Sequence, residues 1–167
     1  MYDNLTESDI AKMKAEIEYR EVTLRAEILA DLKEAKAQGD LSENFEYHAA
    51  KRARNQNDGR IRYLKNMIKT AHIVEDATDS AEVGMNNTVV VYSEKTEKEM
   101  TYRIVTTIRA NPLKRMVSID SPIGKAIYKK KVGDRCLVEL DNGDSFYVVI
   151  RSVEKTTDDS GDAISQY

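Results

Sequence analysis

Tryptophan is absent from the 167 residues, phenylalanine occurs twice, and the single cysteine is Cys136. One cysteine excludes an intrachain disulfide framework. No His/Cys spacing suits zinc, because the only histidines, His48 and His72, stand too far apart in a helix to share a metal. Cys136 lies in the apolar run CLVEL and reads as a buried thiol. The only prolines, Pro112 and Pro122, fall in the second half, so no proline interrupts residues 6 to 72. No apolar run approaches the roughly 20 residues of a membrane span. The acidic start MYDNLTESD lacks a signal-like apolar core, so a cytoplasmic protein with no membrane partner is expected. Positive charge is not in excess. Lys plus Arg is 26 against 29 Asp plus Glu, a net charge of −3, which argues against a uniform duplex binder.

What is present divides into two periodicities. Residues 6 to 72 are rich in Ala, Glu, Lys and Arg, and Thr6 followed by Asp9 makes a helix start. Ile10, Met13, Ile17, Leu24, Ile28, Leu32 and Ala35 form a helical stripe with one phase slip, and Gly39 suits its left-handed close. Tyr47, Ala50, Arg54, Asn57, Ile61, Leu64, Ile68 and Ala71 alternate spacings of three and four, the seam of a coiled coil. A break of three or four residues folds the helices back on each other. About 32 residues per helix make an arm on the order of 48 Å long. Its apolar contacts concentrate at the base, and the far half is thin and polar.

After residue 73 the period becomes two. Residues 87–93, 100–107, 116–120, 135–141 and 145–153 read as strands, and DNGD (141–144) as a hairpin turn with positive φ at both central residues. Ser121 and Pro122 open a short helix. Val89, Val91, Ile104, Val138, Leu140 and Val149 are the expected core. The expected fold class is α+β: an antiparallel helical hairpin at 1–75, a linker at 76–86, an antiparallel-sheet domain at 87–155 and a disordered acidic tail at 156–167.

Local rules leave Asp40 and Glu43 with two uses. Acids three apart at a helix start have the form of a capping box and suit the helix dipole. Two carboxylates at an exposed turn can instead be chemistry carried at the end of a long arm. Ser42 competes as a cap and would free Asp40. Lys51, Arg52, Arg54, Arg60, Arg62 and Lys65 form a basic stretch, either a solvated face or a phosphate-binding one. Arg54 can instead pack its stem on the seam, and Tyr47 can pack or stack on a base.

The tip Gly39-Asp40-Leu41-Ser42-Glu43-Asn44, the run Glu46 to Lys51 and the later SIDSPIGKAI segment together resemble the Gre family of bacterial transcript-cleavage factors. The resemblance covers residues 5 to 154. It implies an FKBP-like second domain, although without tryptophan or an aromatic pocket set it implies no prolyl isomerase activity. It further implies a transcription elongation factor whose coiled coil enters the secondary channel of bacterial RNA polymerase. There it would stimulate cleavage of the backtracked RNA 3′ end by the polymerase's own active site.

On that resemblance Asp40 and Glu43 complete the polymerase Mg²⁺ site. The chain is then no enzyme itself and has no cofactor of its own. Lys51, Arg52, Arg54 and Arg60 lie along the nascent RNA; Gly39, Leu41, Ser42, Asn44, Phe45 and Tyr47 support the tip. Ser121, Pro122, Ile123, Gly124 and Lys125 form a polymerase-binding motif, and the free protein is monomeric. The competing expectation is a non-catalytic channel ligand that inhibits elongation or displaces other factors. Phe45 departs from the family pattern, which has a small residue there. It can brace Leu41, reach a base, or meet the channel wall.

Overall fold

A computed structural model describes residues 4–75 and 78–166. Its contacts fall into two units: Ile10–Ala71, and the residues up to Asp9 joined with those from His72 onward. The helical unit therefore begins and ends inside the expected 1–75 boundaries. Asn4–Leu5 (β1) pairs in parallel with His72–Ile73 (β2), which gathers both ends of the hairpin into the second unit.

Helix α1, Glu7–Tyr19, opens with a reciprocal cap. The Thr6 amide donates to Asp9 Oδ2 (3.0 Å) and the Asp9 amide donates to Thr6 Oγ1 (3.1 Å). A π-helical turn, Arg20–Leu24, joins it to α2, Arg25–Ala37. The phase slip of the apolar stripe is this turn: one extra residue rotates the following positions, so Met13 and Ile17 before it and Ile28, Leu32 and Ala35 after it are all buried. Leu24, inside the turn, is only half-buried.

The wider turn is matched by polar groups of the returning helix α3, Phe45–Lys69. The Arg20 carbonyl accepts from the Arg25 amide and from Asn57 Nδ2 (3.1 Å), while Arg20 Nη1 donates to Asn57 Oδ1 (3.2 Å). Asn57 is 3% exposed, so a seam position that reads as weak packing is a buried hydrogen-bonded lock. Ile61 and Leu64 supply the apolar burial beyond it. Residues 38–44 lie outside both helices, a longer break than the spacing predicts. Helix α3 accordingly spans about 37 Å, less than the roughly 48 Å expected of a helix of about 32 residues.

The second unit holds a five-stranded sheet in the order β5-β4-β3-β7-β6. Its strands are Thr88–Ser93 (β3), Lys98–Val105 (β4), Met116–Ser118 (β5), Arg135–Glu139 (β6) and Ser145–Glu154 (β7). All pairings are antiparallel except β4 with β5, because the chain between them loops around through two short 3₁₀ turns. Helix α4, Pro122–Ile127, buries Ile127 in the sheet's core with Val89, Val91, Ile104, Cys136 and Val138.

Four expectations are corrected here. On β7, Val148 and Ile150 face the core and Val149 does not, a one-residue phase error in a strand that carries a register shift opposite Val90/Val91. The turn after β6 has positive φ only at Gly143. Val83 and Met85 belong to the core and not to a linker, while Asp76 and Ala77 of that linker lie outside the described residues.

The fourth is the tail. It is not free: Ile164 is buried, the Ser165 amide donates to the Ile108 carbonyl (2.7 Å), and Asp162 pairs with Arg103 (2.8 Å) and Arg109 (3.0 Å). Its acidic composition reads as disorder only while the cations it meets, far away in sequence, are unseen.

Candidate functional site at the hairpin turn

Helix α2 ends at Ala37, and Gly39 follows with φ of +117°, a conformation that side chains strain to adopt. The next helix is capped by neither acid. Asn44 sits at the cap in extended conformation, and its Oδ1 accepts from the Tyr47 amide (3.0 Å). The same side chain donates through Nδ2 to the Ala35 carbonyl at the end of α2 (2.7 Å). One asparagine thus closes both helices, which settles the open question about capping. Asp40 Oδ1 accepts from the Ser42 amide (2.9 Å) and hydroxyl (2.8 Å). Those Ser42 hydrogen bonds, the amide foremost, hold the Asp40 carboxyl below its usual range, so it remains ionised at neutral pH. Its other oxygen, and the whole carboxylate of Glu43, make no hydrogen bond or ion pair among the described residues.

Two exposed carboxylates fit Mg²⁺ in donor chemistry but not in number. Mg²⁺ takes six oxygens in a near-octahedral shell. Among the described residues no group of three or more His, Cys, Asp or Glu is placed to hold a metal. The tip can contribute ligands to a site that something else supplies.

Along α3 the basic stretch separates by face. Lys51 and Arg52 are exposed, Arg54 is half-buried, and none of them makes an ion pair among the described residues. Arg60 does not belong with them. Its side chain is 6% exposed, with Nε 2.9 Å and Nη2 3.2 Å from the Glu16 carboxylate, and its guanidinium lies 5.4 Å from the Tyr63 ring. Such a bidentate pair inside the hairpin is committed to the fold, and the expectation that Arg60 lies along RNA is withdrawn. Lys65 similarly pairs with Glu21. Tyr47 is half-buried, beside His48 (5.5 Å between rings) and beneath Lys36 (6.0 Å), consistent with packing at the tip. Leu41 is 39% exposed and Phe45 86%, so the aromatic does not brace the turn.

The SPIGK motif has an intramolecular reason at most of its positions. Ser121 Oγ accepts from the Gly124 amide (3.1 Å) and donates to the Ser118 carbonyl (2.6 Å), and Pro122 occupies the first turn. Gly124 lies so close to the Ser118 carbonyl oxygen that any Cβ would overlap it. Ile123 packs on the core. Lys125 alone is exposed and without such a task.

The sequence reading placed Asn44 in the tip support but missed its capping role, and it missed Arg109 altogether. Asn44 was legible as a capping type but was overshadowed by the acids near it. Arg109, fully buried against Asp9, Asn86 and Asp162, carries no local signal, because its partners stand far from it in sequence.

Comparison with known proteins places these features in context. Residues 4–73 match the model for the N-terminal domain of transcription elongation factors, and residues 78–155 match that for the GreA/GreB C-terminal domain. The chain is 41% identical over 140 residues to transcription elongation factor GreA of Thermoanaerobacter pseudethanolicus, covering 83% of this chain and 89% of that one. It is 39% identical over 148 residues to GreA of a Chelativorans species, covering 88% and 94%. Among solved structures, GreA factor homolog 1 of Thermus thermophilus aligns over 92% of this chain and 99% of that one, with 21% identity and a TM-score of 0.41.

Proposed function

The chain belongs to the GreA/GreB family of transcription elongation factors, and from that premise we propose how its own residues serve transcript cleavage. It acts on RNA polymerase, stimulating cleavage of the RNA 3′ end in backtracked complexes so that elongation resumes. Its helical hairpin enters the polymerase's secondary channel and brings Asp40 and Glu43 to the active site. One observation carries this reading: the turn is closed by Asn44, which leaves both carboxylates exposed, Glu43 with no partner among the described residues and Asp40 bonded through one oxygen only.

Asp40 and Glu43 would contribute ligands to a Mg²⁺ of the polymerase active site, which when bound would supply stabilisation of the attacking and leaving oxygens. The contribution of this chain is narrower. Ser42 fixes one oxygen of Asp40 and keeps the group ionised, so its other oxygen is presented at low entropic cost. Glu43 supplies the second carboxylate. Lys51 and Arg52 face solvent with no protein partner among the described residues, and they attract RNA phosphates without reading sequence. The chemistry belongs to the polymerase, so this chain alone hydrolyses no RNA. It functions as a monomer in the cytoplasm; no helix among the described residues is long and apolar enough to cross a membrane.

The test is a cleavage assay on stalled complexes backtracked by defined lengths. Added protein and Mg²⁺ should shorten the RNA, and Asp40→Asn should abolish the effect while leaving helicity unchanged. Undiminished cleavage by the substituted protein refutes the role of the acid.

A further inference from the structure

Phe45 is the most exposed large apolar side chain at the turn: it is 86% exposed at the first position of α3, against 39% for Leu41. The backbone beneath it is fixed, because the preceding Asn44 is bonded both to Tyr47 and to Ala35. A ring held on such a base loses little freedom when something contacts it.

Position along α3 says what that contact is. Residues three, four and seven apart share a helix face, so Phe45, Ala49 and Arg52 form one line, and all three are exposed. Only the small Ala49 stands between Phe45 and Arg52 on this face, two residues whose backbones lie about 10.5 Å apart along the axis. Arg52 makes no ion pair among the described residues. An aromatic face followed by an unpaired cation complements single-stranded nucleic acid, which offers base faces and phosphates in turn. An apolar wall would call for a continuous apolar patch. Here the ring's chain neighbours Glu43, Asn44 and Glu46 are polar, and Leu41 is the other exposed large apolar side chain among the described residues of the turn.

We propose that Phe45 is a stacking platform for an unpaired base of the RNA 3′ segment, with Arg52 on the same face meeting a phosphate of that strand. This rests on the transcript-cleavage reading. Phe45 follows Glu43 by two residues, so their Cα atoms are at most about 7 Å apart. The stacked base therefore lies beside the phosphodiester that the acids address. Every base has a π face, so the contact holds RNA of any sequence.

The experiment measures affinity for backtracked complexes in the Asp40→Asn background, where the RNA stays intact. Phe45→Ala, Phe45→Leu and Phe45→Trp are compared on RNA carrying an abasic residue at successive positions of the extruded segment. The ring is 86% exposed, so the variants should keep their helicity. Loss of one stacked base is worth on the order of tenfold in affinity. Phe45→Ala and Phe45→Leu should each show that loss and Phe45→Trp should not. One abasic position should weaken the phenylalanine protein by the same factor and leave Phe45→Ala unaffected. Full affinity for Phe45→Leu would assign the ring to an apolar wall of the polymerase and overturn stacking, as would the failure of every abasic position to discriminate. If the protein with Asp40 intact fails to stimulate cleavage, the transcript-cleavage reading falls separately, and the affinity pattern still decides the stacking.

Discussion

Replacing Arg109 by Met keeps the length of the side chain and removes the charge that three segments share. The Arg109 side chain is 0% exposed, as is that of Asp9, and Nε pairs with Asp9 Oδ1. Its Nη1 lies 3.0 Å from Asp162 and donates to Asn86 Oδ1 at 2.7 Å. Asp9 Oδ2 keeps the Thr6 amide (3.0 Å) and the Thr106 hydroxyl (2.7 Å) after the substitution. Asp9 Oδ1 keeps nothing among the described residues, so a charged oxygen remains buried and unmatched. Removing one partner of a buried pair costs about 3–5 kcal/mol. For a domain on the order of 100 residues, each kcal/mol moves Tm by about 4–8 °C, so the transition of this unit should fall by at least about 12 °C. Differential scanning calorimetry is the suitable assay, because the helical unit can melt separately. The double variant Asp9→Asn/Arg109→Met removes both charges, and its cost should be at least about 1 kcal/mol less than the summed single costs. A loss below about 1 kcal/mol for Arg109→Met, or strict additivity in the double variant, refutes the reasoning.

Burial alone pushes Glu16 up, but hydrogen bonds and charges from Arg60 and Arg20 outweigh it and hold the carboxyl below its usual 4.5. The folded value being the lower one, its stabilisation is complete above that range and lost as pH falls through the depressed value; a pH series of helicity should show this loss, and Glu16→Gln should flatten it. Asn44→Ala removes the cap of α3 and the tie to Ala35, so exchange protection at the Tyr47 amide should drop by about 1–2 kcal/mol while the seam near Leu64 is unchanged. Gly124→Ala drives a methyl into the Ser118 carbonyl and should cost about 2–3 kcal/mol in urea denaturation, a loss of folding that would imitate a loss of polymerase binding unless stability is measured alongside.

Periodicity determined most of this protein's outline. The apolar spacing of residues 10 to 35 and 47 to 71 specified two long helices, and even the slip in the first stripe was legible, because an inserted π residue must shift every position after it. The alternation after residue 87 specified strands, and the tip motif with the later SPIGK segment specified the family. Composition could not say which charges are spent internally. Arg52 and Arg60 look alike in sequence, and only the fold puts Glu16 against one and solvent against the other. The same holds for the tail, which reads as disordered until Arg103 and Arg109 are brought to it. At the turn, the sequence placed Asp40, Glu43 and Asn44 within five residues, all able to cap a helix. Tertiary structure chose Asn44, because an amide side chain can accept from one helix and donate to the other. A carboxylate can only accept, and that difference leaves the two acids available for chemistry.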